Sequence, residues 1–65
     1  MKKIGVIGLG NMGSAVARNI QRANFPLYVH DIRKDAGKKL IEKGAIWKSS
    51  PKELMDHGDI VVSMV

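Results

Sequence analysis

Lys3-Ile4-Gly5-Val6-Ile7-Gly8-Leu9-Gly10-Asn11-Met12-Gly13-Ser14-Ala15-Val16-Ala17 is the stretch on which the reading of the whole chain turns. An apolar, β-branched run ends in three glycines spaced G-x-G-x-x-G, at Gly8, Gly10 and Gly13. Small, helix-compatible residues follow at once. That order spells strand, tight turn and helix, the arrangement that seats a dinucleotide's pyrophosphate on a helix N-terminus. Gly8 lets the chain leave the strand at a positive φ, where a Cβ would clash. Gly10 lets the backbone approach the pyrophosphate, and Gly13 lets the helix pack tightly on the strand. The N–H groups that open the helix lack internal partners and lie at the positive end of its dipole. A diphosphate there gains charge-assisted hydrogen bonds without needing a lysine. The spacing alone would also suit a turn without a ligand, so the weight falls on its surroundings.

Working outward, Lys3 to Leu9 is continuously apolar apart from glycine, as a strand buried on both faces of a parallel sheet reads. From Met12 to Ala23 an amphipathic helix is predicted, with Met12, Val16, Ile20 and Ala23 inward and Arg18, Gln21 and Arg22 outward. Asn24 can end it and Pro26 forbids its continuation. Pro26 to Asp31 is a second strand, with proline at its start where no ladder bond is lost. Lys34 to Lys43 is a second helix burying Ala36, Leu40 and Ile41, stopped by Gly44. Ala45-Ile46-Trp47 is either a short strand or an extended connection. Ser50-Pro51-Lys52-Glu53 opens a helix with Ser as N-cap, Pro in the first turn and Glu closing a capping box. It ends at His57-Gly58, and Asp59 to Val65 reads as a third buried strand.

The alternation is β-α-β-α-(β)-α-β. It predicts an α/β fold, a Rossmann-like βαβαβ half of a doubly wound parallel sheet with right-handed crossovers. Lys3 to Leu9 would be central in a three-stranded sheet, with one side awaiting a further strand. Residues 1–65 are therefore expected to form the N-terminal part of a dinucleotide-binding domain. Open sheet edges of this kind favour self-association, so a homo-oligomer is possible.

Composition narrows the partners. Sixty-five residues make at most one small domain, and 45% apolar with 26% charged residues is too apolar for a disordered chain. The net charge of +5 comes from eleven Lys and Arg against six Asp and Glu. The basic residues are scattered, acids interrupt them at Asp31, Asp35, Glu42 and Glu53, and Trp47 is the one aromatic in the denser basic run from Arg33 to Lys52. A nucleic-acid platform would interleave aromatics with the basic residues, so a solvated surface is the better reading and no nucleic-acid partner is expected. The glycines at positions 5, 8, 10 and 13 spoil the apolar run as a secretion signal, and no stretch is long enough to span a bilayer. The lack of cysteine removes disulfides and thiolate metal sites and suits a reducing compartment, so a cytoplasmic location is expected.

Asp31 is the second anchor. It closes the second strand eighteen residues after Gly13, where this fold sets a carboxylate against the adenosine ribose hydroxyls. An acid there favours NAD, because it repels the extra phosphate of NADP. A helix N-cap or turn aspartate is the alternative. Arg33 keeps NADP possible, since an arginine just beyond the strand can hold a 2′-phosphate.

Ile4-Gly5-Val6-Ile7-Gly8-Leu9-Gly10-Asn11-Met12-Gly13 resembles the G-L-G-x-M-G signature of the β-hydroxyacid dehydrogenases, the family of 3-hydroxyisobutyrate and 6-phosphogluconate dehydrogenases. The likeness continues through Gly44-Ala45, Ser50-Pro51-x-Glu53 and Asp59 to Val65, and so covers essentially the whole chain. Pyrroline-5-carboxylate reductases open similarly, but Leu9 and Gly13 speak for the first group. The resemblance implies a cofactor-binding turn of Gly8, Leu9, Gly10, Asn11, Met12 and Gly13 in which backbone around Leu9, Asn11 and Met12 cradles the pyrophosphate, with Asp31 selecting the ribose and Met64 and Val65 bordering the cofactor. NADP-using relatives typically carry Asn-Arg where this chain has Asp31-Ile32, which again favours NAD. The implied reaction is hydride transfer between a small β-hydroxyacid and the nicotinamide.

The family's substrate-binding segment and catalytic lysine match nothing in these residues. No catalytic residue is therefore assigned, and the 65 residues alone are expected to be inactive. His30 and His57 read as structural, two isolated histidines make no metal site, and Ser14 and Ser63 lack a base. Trp47, Met55 and Met64 read as packing residues, and the Met12 side chain is expected beneath the nucleotide. Two other functions remain open at this level: a non-catalytic NAD-sensing module, which would need the same turn, and a basic nucleic-acid-binding domain, motivated by charge alone.

Overall fold

The first apolar run becomes strand β1 (Ile4–Ile7), and a parallel neighbour flanks it on each side. The computed structural model describes residues 1–64. Beyond β1 it contains helix α1 (Asn11–Arg22), strand β2 (Leu27–His30), a 3-10 turn (Lys34–Gly37) and helix α2 (Lys38–Glu42). Strand β3 (Ile46–Trp47), helix α3 (Pro51–His57) and strand β4 (Ile60–Ser63) complete it. The strands form one sheet in the order β3-β2-β1-β4, and every pairing is parallel. Val6 stands opposite Val29 on one side and Val62 on the other.

Alternation along β1 separates the two faces of the sheet. Val6 turns toward Ala17 of α1 and Leu40 of α2, in a core that also holds Leu9, Leu27, Val29 and Ala45. Gly5 turns the other way, where Leu54 of α3 lies so close that a Cβ on Gly5 would overlap its side chain. Leu54 is 0% exposed. Helices thus cover both faces, and the chain passes from one face to the other between β3 and β4.

The fold follows the predicted α/β architecture, with corrections. The sheet has four strands, not three, because Ile46–Trp47 pairs with β2 and the N–H of Lys48 extends the ladder to the Val29 carbonyl (2.9 Å). The last strand is not buried: among the described residues it has a single neighbour, and Ile60 is 47% exposed. The inward stripe of α1 is also rotated from the predicted one. Gly13 and Ala17 are buried, with Val16 and Ile20 packed beside them, whereas Met12 is 72% exposed and Ala23 is exposed. The cause is the tightness of the approach. A Cβ on Gly13 would collide with the Gly8 carbonyl oxygen, so the helix presents its smallest residues to the strand. Met55 likewise lies outside the core at 55% exposure, while Trp47 and Met64 pack against it as expected.

Local signals end the helices as anticipated. Asn24 takes a left-handed φ of 65° after α1, and Gly44 a φ of 108° after α2. After α2 the N–H of Gly44 donates to Ile41 and that of Ala45 to Leu40, both at 3.0 Å, which satisfies the orphan carbonyls of the last turn. At α3 the Ser50 hydroxyl accepts from the N–H of Glu53 (3.1 Å). The other half of the expected capping box is replaced, because the Glu53 carboxylate accepts from the Ser49 hydroxyl (2.8 Å). Among the described residues, no helix is long and apolar enough to cross a membrane.

Two substitutions test this packing. Gly13→Ala must push against backbone rather than a flexible side chain, and we expect a loss of about 1–3 kcal/mol in denaturant unfolding. Gly10→Ala meets nothing within 4 Å and should cost under about 1 kcal/mol in the same assay. Equal losses at the two positions would contradict the close approach of α1 to β1.

Candidate functional site

The strand order reverses between β1 and β4: from β1 the chain first runs outward to β2 and β3, then returns to add β4 on the opposite side. In open α/β sheets the ends of the strands at such a reversal diverge and leave a crevice. The turn that leaves β1, Gly8-Leu9-Gly10, sits there. Gly8 holds a φ of 91°, and its N–H donates to the His30 carbonyl at the end of β2 (2.9 Å). Leu9 is buried in the core. Gly10 is the N-cap of α1, and space lies open where its Cβ would be.

The N-terminus of α1 carries no side-chain cap and no acidic residue in its first turn. The N–H of Ser14 donates to the Gly10 carbonyl (2.8 Å), the first bond of the helical ladder. The N–H groups of Asn11, Met12 and Gly13 precede it and have no carbonyl four residues back inside the helix. They form a fan of donors at the positive end of a helix of 12 residues. The Asn11 and Met12 side chains are exposed, and their backbone N–H groups belong to the fan. Met64 closes the other side, its N–H donating to the Ile7 carbonyl (2.8 Å) and its Cβ lying within 3.5 Å of where a Gly13 Cβ would stand. The structure therefore gathers Gly8, Leu9, Gly10, Asn11, Met12, Gly13, Asp31 and Met64 around the turn that leaves β1. Val65 lies outside the described residues.

Asp31 reaches into the turn. One carboxylate oxygen accepts from the Leu9 N–H (2.7 Å) and the other from the Arg33 N–H (3.0 Å). The turn-aspartate role is thus real. It leaves each oxygen a second lone pair for a ligand hydroxyl. Sequence reasoning set Ser14 aside for want of a base, yet its hydroxyl donates to the Leu9 carbonyl (2.8 Å). No sequence pattern marks that contact, because the acceptor is a main-chain oxygen. Both histidines pair with main-chain carbonyls. His30 Nδ1 pairs with the Lys48 carbonyl (2.8 Å), its ring tilted against Trp47, and His57 Nδ1 pairs with the Glu53 carbonyl of its own helix (2.9 Å).

The Leu9 N–H, then the Arg33 N–H and the nearby Arg33 guanidinium, hold the Asp31 carboxyl below its ordinary value of 3.8, against the opposing effect of partial burial. A carboxylate depressed in the folded state stabilises it fully above the ordinary value and loses that contribution as pH falls through the folded value. Replacing Asp31 by Asn should therefore cost most stability near neutral pH and progressively less below about pH 4. Unfolding midpoints of both proteins across pH 2–7 check this, and a pH-independent gap would contradict it.

Residues 3–65 match the family described as the NAD-binding domain of 6-phosphogluconate dehydrogenase. The uncharacterised oxidoreductase YkwC of Bacillus subtilis is 39% identical over 64 residues, which are 98% of this chain and 22% of that protein. The mitochondrial 3-hydroxyisobutyrate dehydrogenase of Drosophila melanogaster is 42% identical over 64 residues, 98% of this chain and 20% of its own length. An imine reductase variant from Myxococcus stipitatus, solved in complex with NAD+, superposes with a TM-score of 0.95 at 26% identity, over 100% of this chain and 22% of that one. The chain spans about a fifth of the length of the relatives it matches. With the phosphate turn, the parallel sheet and the match over nearly every residue in agreement, this chain belongs to the family of NAD-binding domains found in 6-phosphogluconate dehydrogenase.

Proposed function

We propose that these residues bind NAD and serve as the nucleotide-binding part of an oxidoreductase that moves a hydride between a small β-hydroxyacid and the nicotinamide. The observation that carries the reading is the uncapped α1 N-terminus behind Gly10, whose missing Cβ leaves open space in front of the donor fan. A diphosphate fits that chemistry: the site supplies N–H donors and a positive dipole end, with no acid in the first turn to oppose it. The main chain of Gly10, Asn11, Met12 and Gly13 holds the pyrophosphate, and Asp31 accepts from the adenosine ribose hydroxyls. Leu9 and Gly8 shape the turn, and Met64 lies beside it. Bound NAD supplies the hydride acceptor; these residues bind and orient it.

The anionic Asp31 sets the preference for NAD over NADP, while Arg33, two residues on, offers a weaker partner for a 2′-phosphate. The β-hydroxyacid substrate class rests on the 3-hydroxyisobutyrate dehydrogenase relatives. The catalytic acid–base group and the substrate contacts are assigned to sequence outside these residues, in a C-terminal domain of the kind that the longer relatives leave room for. A cytoplasmic setting agrees with the cysteine-free composition. The open edge of β4 is where further sheet or a second copy would add.

Calorimetric titration with NAD+ and NADP+ tests the assignment. Gly10→Val, which fills the space before the fan, should weaken NAD+ binding by about tenfold or more, with unfolding little changed. Asp31→Ala should weaken NAD+ by about tenfold and narrow its advantage over NADP+. Unchanged affinity in both variants would overturn the assignment.

A further inference from the structure

Leu9 is the most restrained residue of the phosphate turn. Its side chain is buried against the core, close to Gly37 and Trp47, where a Cβ on Gly37 would come within 3.2 Å of Leu9 Cδ1 and 3.1 Å of the Trp47 ring. Its N–H is held by the Asp31 carboxylate from the end of β2 (2.7 Å). Its carbonyl is held by the Ser14 hydroxyl from the first turn of α1 (2.8 Å). The two peptide planes that flank Leu9 are therefore each tied to a different element. Gly8 and Gly10 stand on either side, and glycine has the widest backbone freedom of any residue. The two glycines that make the turn possible would also let it wander, and the ties on Leu9 oppose that.

We propose that Ser14 and Asp31 act as a two-sided clamp on Leu9 that pre-aims the α1 donor fan, so that both are positioning residues for the pyrophosphate, Asp31 in addition to its contact with the ribose. The proposal rests on the dinucleotide reading above and extends it to a residue, Ser14, that faces the turn and not the ligand. The clamp joins three elements: β2 through Asp31, α1 through Ser14, and the core through the Leu9 side chain. Its effect is preorganisation. A turn already held in its bound shape loses less freedom when the diphosphate arrives, so affinity rises without a new contact to the ligand. An effect of this kind is blind to the ribose hydroxyls, and that separates it from direct recognition.

The test compares NAD+ with an analogue lacking the adenosine 2′ and 3′ hydroxyls, titrated by calorimetry into the full-length protein and into Ser14→Ala, Ser14→Thr and Asp31→Ala. The clamp predicts that Ser14→Ala weakens both ligands alike by about fivefold, the worth of one neutral hydrogen bond, and that Ser14→Thr, which keeps the hydroxyl, restores them. It also predicts that Asp31→Ala still weakens the analogue several-fold, though less than it weakens NAD+. A residue that only stabilised the fold would leave the affinity of the folded protein for either ligand unchanged. Wild-type affinity in Ser14→Ala, or an Asp31→Ala penalty that vanishes with the analogue, would overturn the clamp while leaving dinucleotide binding intact. Failure of the unaltered protein to bind NAD+ would instead overturn the dinucleotide reading, and the clamp with it. Should Asp31→Ala fold poorly, Asp31→Asn serves as the second variant: it keeps an acceptor for the Leu9 N–H, so it should bind the analogue as tightly as the unaltered protein, and a several-fold loss there would overturn the clamp.

Discussion

The contact of Gly13 with the Gly8 carbonyl sets the geometry on which the rest depends. With no Cβ between them, α1 lies against β1 closely enough for its first turn to open directly over the strand's end. Any larger residue would lift the helix by the width of a methyl group, and the donor fan would move with it. The same contact decides which face of α1 is buried. Once Gly13 is inward, Ala17 follows one turn later, with Val16 and Ile20 completing the stripe, and Met12 is left in solvent. A packing constraint at one glycine thus aims the helix dipole.

Around that contact the chain places charge sparingly. The donor fan is met by no acidic residue of its own helix, and the nearest carboxylate, Asp31, is already engaged by two backbone N–H groups. Those bonds keep Asp31 ionised and spend one lone pair of each oxygen on the turn. In the proposed site, recognition of an anion and of a neutral diol can then coexist within a few residues, because backbone donors stabilise the carboxylate where it stands. Arg33 is the basic residue that bears on Asp31; the other basic residues are distributed over the N-terminus, the helices and their connections.

Much of the fold was legible because its signals are local. Gly8, Gly44, Ser50 and Pro51 each answer a backbone requirement of their own position, so the turn, the helix end and the helix start are all where the residues put them. The errors share another origin. Ile46-Trp47 is too short for its own pattern to choose between strand and connection, and pairing with β2 decided it. Asp59 to Val65 reads as buried because its residues are apolar, yet burial of a strand depends on how many neighbours it has, and among the described residues β4 has one.

The sequence by itself determined the order of elements, the positive-φ turn, the boundaries of α1 and α3 to within a residue or two, and Asp31 as the acid beside the turn; the second helix, read from Lys34, begins as a 3-10 turn and becomes α only at Lys38. These are matters of backbone conformation and spacing along the chain, which neighbouring residues decide. Only the tertiary structure decided the strand order, the inward face of α1, the exposure of Met12 and Met55, and the grip of Ser14 and Asp31 on Leu9. Each of those depends on a distance between residues well separated along the chain or on different elements. The hydroxyl of Ser14 and the carbonyl of Leu9 meet because a glycine brings helix and strand together, and nothing in either residue's identity announces it.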